Sequence, residues 1–286
     1  MNNPRISIIC VTFNSAADLP DFLQSVEKLP PEWAEVIFID NASSDKTSEL
    51  IEIWGKAGQF VRNEENRGWS AANNQGVTIS TGKLLFFANP DVWFEVAALQ
   101  KLVWFLDGHS EFDAAAPQLL NRNGAVQPSC RRLPTVADLF FQISGLAFLF
   151  PCSFLNRWKM PDFEHKDFRE VQQPMASALL IRRETFEKVG GIDEQFFVFF
   201  GDVDFAHRLK EAKRRTAFYP EARMFHQQGS STRKMGAAFY FSSHFGFFRY
   251  LWKWGRLSQR AILLFLWLPL FLTAVGRVLF YFVFAR

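Results

Sequence analysis

The first ninety residues repeat one unit, a short apolar run followed by a segment with helical spacing, and every apolar run stops at polar, turn-forming residues. Arg5 to Val11 is a β-branched run of the kind found in buried parallel strands. Ala17 to Lys28 follows, with Leu19, Phe22, Leu23 and Val26 at helical intervals. Val36 to Ile39 reads as a second strand ending at Asp40, with Ser44 or Asp45 able to cap a helix through Trp54. Phe60 and Val61 make a brief third strand before a helix over Trp69 to Ile79, and Lys83 to Ala88 is a fourth, ending at Asn89-Pro90-Asp91. Strands alternating with helical segments predict βαβ units and a mostly parallel sheet.

Thr12 and Asn14 follow the first strand, Asp40 and Asn41 the second, Asn66 and Gly68 the third, and Asp91 the fourth. Open α/β sheets bind ligands beyond the carboxyl ends of their strands. Four polar strand ends in succession therefore predict a ligand crevice there. Asp91, after the rigid Pro90, suits a Mg²⁺ or Mn²⁺ shared with a diphosphate, or else caps a helix starting near Val92. Asp40 can accept from a ribose or a base N–H, or serve as a turn carboxylate. Asn63, Asn66, Asn73 and Asn74 surround Arg67-Gly68-Trp69, an amide density that suits either a wrapped ligand or a polar surface turn.

Between Pro117 and Pro174 no clean period emerges. A second organised block has a strand over Ala178 to Ile181, a helix from Glu184 to Val189 stopped by Gly190-Gly191, a helix from Asp202 to Ala212, and a short strand from Thr216 to Tyr219. Asp202 and Asp204 follow the apolar Phe196 to Phe200. An acid at such a mouth suits a general base, and equally a helix cap with a second acid in the first turn. His226 closes the block as a structural histidine or, if it meets Asp91, a ligand.

Other classes are disfavoured. A net charge of +3 is too mild for nucleic acid. Cys10, Cys130 and Cys152 have no C-x-x-C spacing, which fits a reducing, cytosolic setting, and the N-terminus leads directly into a strand with no room for a signal peptide. No G-x-G-x-x-G follows the first strand, and Leu84 stands where a P-loop needs Ser or Thr. A sugar nucleotidyltransferase needs a Gly-rich basic loop that Val11 to Pro20 lacks.

After Tyr240 the composition changes. Arg249, Lys253, Arg256 and Arg260 fall on one helical face among aromatic residues, which suits an anionic membrane surface. Ala261 to Gly276 carries no charge, and its 16 residues reach about 24 Å, short of a ~30 Å hydrocarbon core. With Pro269 and Gly276 as kinks, a monotopic or re-entrant anchor is expected over a full span.

Val11-Thr12-Phe13-Asn14, Ile39-Asp40-Asn41-Ala42-Ser43-Ser44-Asp45, Asn66-Arg67-Gly68-Trp69, Asn73-Asn74-Gln75-Gly76, Asn89-Pro90-Asp91, Val189-Gly190-Gly191-Ile192-Asp193, Asp202-Val203-Asp204 and His226 stand in the order of the family-2 glycosyltransferases. The chain resembles their bacterial rhamnosyltransferase-like members over residues 5 to 230. The resemblance implies a GT-A fold (α/β, Rossmann-like, mostly parallel central sheet) over 1–238, with a nucleotide-binding part at about 1–116 and an acceptor part at about 117–238. A helical membrane anchor at 239–286 would follow. It implies inverting transfer from a dTDP or UDP sugar to a lipid-linked glycan on the cytoplasmic face of the cell membrane. Thr12, Asn14, Asp40, Asn41, Asn66, Gly68, Asn74, Asn89 and Asp91 would hold the nucleotide-sugar, Asp91 and His226 a divalent metal, and Asp202 would be the base. Ser177, Asp204 and Arg208 would lie on the acceptor side. Two departures stand out: Gly201 replaces the family's usual Glu, and Ser177 its usual Gly. The first leaves open a catalytically impaired nucleotide-sugar-binding protein.

Overall fold

The computed structural model describes residues 4–56, 58–151, 154–227 and 238–284. Cys152 and part of the expected 238/239 boundary region (228–237) lie outside these residues. The first repeat forms as its pattern dictates. Strands β1 (Ile6–Thr12), β2 (Ala34–Asp40), β3 (Gln59–Arg62) and β4 (Leu84–Ala88) alternate with helices α1 (Leu19–Glu27), α2 (Thr47–Trp54) and α3 (Gly68–Ile79). Burial on both faces explains why β1, β2 and β4 are nearly continuous apolar runs.

The helix after β2 starts later than expected. Its N-cap position is Lys46, with no side-chain cap, because Asp45 is drawn to the Thr47 amide and hydroxyl and to the Ala16 amide. Val92–Trp93 is strand β5 and not a helix, so Asp91 caps nothing; helix α4 begins at Val96 and runs to Gly108.

Strand β6 (Ala114–Leu120) spans the 116/117 division, so both parts share one sheet. After it come β7 (Cys130–Arg131), helices α5 (Val136–Ile143) and α6 (Leu146–Leu149), a 3₁₀ turn at Phe154–Lys159, β8 (Arg169–Val171) and β9 (Gln173–Pro174). Then β10 (Ala178–Arg182), α7 (Arg183–Lys188), α8 (Gly201–Glu211) and β11 (Thr216–His226) complete the domain. The main sheet has nine strands in the order β3-β2-β1-β4-β10-β6-β11-β5, with β8 on β11. β3, β2, β1 and β4 are parallel, and β10 enters antiparallel between β4 and β6. β11 is much longer than its first four residues suggested: it shifts register between Tyr219 and Arg223 and continues to His226, where it pairs with β5.

The tail forms two helices, α9 (Ala238–Trp254) and α10 (Leu257–Phe284). The chain breaks at Gly255, so the four basic residues do not share one helix. Arg249 instead donates to Gln195, and Lys253 pairs with Asp193 and Asp204, turning this face toward the domain and not toward a membrane. α10 continues through Pro269 and Gly276 for 28 residues, about 42 Å. It is longer than its uncharged stretch because Arg260 and Arg277 lie within it. Among the described residues it is the one helix long and apolar enough to cross a membrane by length and composition. Leu263, Leu270 and Ala274 are buried along one side, and the first two pack with Leu139, Phe247 and Tyr250; Leu257, Leu264 and Phe265 are exposed.

Candidate active site

The parallel strands reverse their order of addition between β1 and β4, the switch point at which such sheets bind ligands. Thr12 and Asp40 stand on one side of it and Asp91 on the other.

The β2 side is locked by its own hydrogen bonds. Asp40 is fully buried and accepts from the Thr12 hydroxyl (2.8 Å), the Ser43 amide (3.0 Å) and the Ser43 and Ser48 hydroxyls. Any bond from Asp40 to a ribose or base must displace one of these donors. Asn14, at φ +49°, accepts from the Ser44 amide (2.8 Å), and its own amide donates to Ser43, so it holds the following loop. Asn41 donates to the Gly68 carbonyl and accepts from Asn63, while Asn66 accepts from the Gly68 amide. Gly68 has φ +82°, and a Cβ there would meet the Phe197 carbonyl at 2.4 Å. The amide-rich segment thus bonds extensively to other stretches of the chain. Asn74, expected on the nucleotide-sugar, donates to the Ile192 carbonyl (2.7 Å) and accepts from its amide (2.9 Å), clamping the loop that leads to Asp202.

The β4 side has unused polar atoms. The β11–β5 pairing sets His226 opposite Val92, and His226 Nε2 comes 3.4 Å from Asp91 Oδ1. Both side chains are buried, and Asp91 Oδ1 has no hydrogen-bond donor. His226 Nδ1 is 2.7 Å from Gln127 Oε1, an oxygen that only accepts, so Nδ1 donates to it. Nε2 and the donorless Asp91 Oδ1 lie 3.4 Å apart, beyond a good hydrogen bond. This donor set fits a divalent cation, with Gln127 orienting the imidazole from behind. Asn89, partly exposed, anchors the loop by donating its amide to Ser177 O (2.9 Å).

Ser177, Ser129 and Gln173 each hold a buried oxygen without a partner on the adjoining segments. Such atoms call for a partner, whether water, ion or ligand.

Asp202 lies in the first turn of α8. Gln173 Nε2 donates to it at 3.0 Å, and apolar groups including Trp69, Phe87 and Phe205 line the small cavity beside it. Burial is the largest influence on its carboxyl and raises the pKa above the ordinary value, against the pull of the Val203 amide and the Arg131 charge. A raised pKa strengthens a carboxylate as a general base. At Gly201 a Cβ would fall 2.4 Å from Ser70 Oγ, which donates to Phe196 O; the family's Glu has no room here unless Ser70 yields.

Asp204 and Arg208, expected on the acceptor side, bond to each other. Asp204 is fully buried and takes donors from Arg208 Nε (2.9 Å), Trp254 Nε1 (2.8 Å) and Lys253 Nζ (2.8 Å), which fastens α9 to the domain.

Sequence reasoning missed Gln127, Arg131 and Gln173, all in the stretch without helical period. The available signal was the two-residue spacing of Gln127, Ser129 and Arg131, an extended pattern that sends alternate side chains to one face. That face runs from His226 at Gln127 toward Asp202 at Arg131.

Comparison with known proteins agrees with this fold. The Glycosyl transferase family 2 profile matches residues 7–190. The N-acetylglucosaminyl-diphospho-decaprenol L-rhamnosyltransferase of Mycobacterium tuberculosis is 25% identical over 256 residues, covering 84% of this chain and 81% of the relative. The low-salt glycan biosynthesis hexosyltransferase Agl10 of Haloferax volcanii is 25% identical over 211 residues, covering 72% of this chain and 61% of the relative. Among solved structures, the mannosyltransferase PcManGT from Pyrobaculum calidifontis, in complex with GDP-Man and Mn²⁺, superposes with a TM-score of 0.60 at 17% identity over 88% of this chain and 64% of its own. S. aureus TarS 1-349 in complex with UDP-GlcNAc gives 0.57 at 15% identity, over 87% and 66%. These two share the GT-A fold. The chain belongs to glycosyl transferase family 2 and is a glycosyltransferase of that fold.

Proposed function

We propose that this chain transfers a sugar, rhamnose before others, from a dTDP or UDP donor to a lipid-linked glycan, with inversion and divalent-metal assistance. The carrying observation is the donorless Asp91 Oδ1 facing His226 Nε2 across the crevice from Asp40. Asp91 and His226 would hold the cation, which neutralises charge on the departing nucleoside diphosphate. An imidazole nitrogen in the set favours Mn²⁺ over Mg²⁺, whose usual ligands are oxygens.

Asp202 accepts the proton of the acceptor hydroxyl as that oxygen bonds to the anomeric carbon. The bond to the nucleoside diphosphate breaks with its electron pair, and displacement from the opposite side inverts the centre. Gln173, donating to Asp202, fixes which carboxylate oxygen faces the acceptor. The rhamnosyl donor and the lipid-linked acceptor are supported by the mycobacterial relative's name. The exposed face of α10 supports attachment of the domain to a membrane, and buried free Cys10 and Cys130 accord with its cytoplasmic side.

The test is Asp202→Asn, assayed with a panel of nucleotide-sugars, Mn²⁺ and a lipid-linked glycan acceptor. Transfer is expected to fall by about 10²–10⁴-fold with nucleoside diphosphate binding retained. A fully active Asp202→Asn enzyme removes Asp202 as the base, and saturable binding without turnover by the unaltered chain removes the transferase reading.

A further inference from the structure

Asp202 is bracketed by two residues that the tail holds. Phe200, two positions before it, is the N-cap of α8, with φ +71° and ψ 0°. Residues with a Cβ avoid this left-handed region, and a bulky aromatic one adopts it only under constraint. Such strain persists where surrounding contacts enforce it, and it gathers at functional sites.

Helix α9 supplies enforcing contacts. The Phe247 ring stacks on that of Phe200, with centroids 4.9 Å apart and planes at 29°, and Tyr250 stands 6.0 Å from it. Trp158 of the 3₁₀ turn lies 6.3 Å from Phe200 and 5.1 Å from Phe247, so the two rings are wedged together. Gly246 permits this approach. A Cβ there would fall 2.9 Å from the Phe199 carbonyl oxygen and 3.1 Å from the Phe200 ring.

Asp204, two positions after Asp202, is gripped by the same helix, with Trp254 Nε1 and Lys253 Nζ each 2.8 Å from it. Its amide donates to the Phe200 carbonyl at 2.9 Å, which closes the first turn of α8 around Asp202. Further along α8, His207 stacks on Trp254 with centroids 3.8 Å apart, and its Nδ1 is 2.7 Å from the Tyr250 hydroxyl. The tail therefore contacts α8 on both sides of Asp202 in the chain, and none of these contacts involves Asp40, Asp91 or His226.

We infer that α9 positions the base. Gly246 and Phe247 hold the left-handed turn at Phe200, Lys253 and Trp254 fix Asp204, and Asp202 between them is kept against Gln173 and aimed at the acceptor hydroxyl. This rests on Asp202 as the base, proposed above, and adds the residues that aim it.

The test uses the full chain in detergent, with hydrogen exchange read over residues 200–206. Turnover is followed with dTDP-rhamnose and UDP-N-acetylglucosamine, Mn²⁺ and farnesyl-diphosphate-linked N-acetylglucosamine as acceptor. Phe247→Ala should speed exchange over 200–206 relative to β1 and β4 and lower kcat about 10–100-fold, a misplacement near 1 Å sufficing for the larger figure. Binding of UDP and dTDP with Mn²⁺ should not change. Gly246→Ala pushes α9 off the same turn and should act in the same direction, while Phe247→Leu, which keeps most of the volume, should recover most of the loss. At position 200 glycine accepts the left-handed backbone and alanine does not, so Phe200→Gly should exceed Phe200→Ala in thermal midpoint and turnover. A loosened turn also admits water to Asp202, so the acid limb of the pH–rate profile should move down toward the ordinary carboxylate value. Unchanged exchange over 200–206 in both Phe247→Ala and Gly246→Ala overturns the inference, as does a Phe200→Ala chain equal to or better than Phe200→Gly, which would leave a packing contact alone. A parallel loss of UDP and dTDP affinity overturns it too, because general destabilisation would then account for the effect. An active Asp202→Asn enzyme in which Phe247→Ala still loosens α8 strikes the base assignment and leaves the clamp standing.

Discussion

Replacing Gln127 by Leu tests whether the Asp91–His226 pair is a metal site set up from behind. Gln127 Oε1 lies 2.7 Å from His226 Nδ1, and both side chains are buried. Leucine keeps roughly the volume and removes the acceptor. The Nδ1–H then has no partner, at a cost of about 1–3 kcal/mol for an unsatisfied buried donor. The imidazole relieves that cost by moving its proton to Nε2, where Asp91 Oδ1 at 3.4 Å waits as acceptor. The new hydrogen bond occupies the two atoms that a cation needs. Loss of such an orienting partner lowers metal affinity about 10–100-fold. The assay is a Mn²⁺ titration followed by calorimetry with UDP present, and then by nucleotide-sugar turnover. The apparent Mn²⁺ affinity should fall by that factor while nucleotide binding without metal is unchanged. Gln127→Glu, which still accepts from Nδ1, should restore it. An unaltered Mn²⁺ affinity in Gln127→Leu would refute the reasoning, because the imidazole would then need no orientation from Gln127.

Further outcomes follow from the same geometry. Gly201→Ala forces a Cβ to 2.4 Å from Ser70 Oγ and should destabilise the fold by about 1–3 kcal/mol, with partial recovery in Gly201→Ala/Ser70→Gly; thermal midpoints decide it. Asp204→Ala leaves Arg208 and Lys253 facing an emptied buried site, and a loss of about 3 kcal/mol is expected in urea denaturation, while a loss under 1 kcal/mol would mean that α9 docks by apolar contact alone. Transfer should rise with pH as Asp202 loses its proton, the acid limb lying above the ordinary 3.8, and Arg131→Met should move that limb higher. The stability sign is opposite. The folded chain holds this proton more tightly than the unfolded chain, so its contribution is complete below 3.8 and disappears as the pH rises through the folded value.

Local pattern was enough for the donor half of the fold. Apolar runs of strand length, separated by helical periods, admit little besides a parallel sheet, and β1 to β4 with their intervening helices lie within a few residues of where the periodicity puts them. The order of Asp40, Asp91, Asp202 and His226 along the chain was equally legible. What local pattern does not carry is the partner of each polar side chain. Asn74 looked like a ligand residue because amides are poor helix formers, yet it holds Ile192, 118 residues away. Arg249 and Lys253 looked like a membrane face because helical spacing aligns them; Asp193 and Asp204 turn that face inward. Gln127 carried no helical signal, since its task depends on β11 crossing the sheet and pairing with β5 to bring His226 beside it.

The sequence by itself determined the βαβ frame, the polar strand ends and the apolar tail, because these follow from side-chain periodicity within a few residues. The tertiary structure alone decided which polar atoms remain without partners, and so available to a ligand. Strand register and helix docking set that outcome, joining residues a hundred or more apart, and a one-residue slip of a strand would turn each of its side chains to the opposite face.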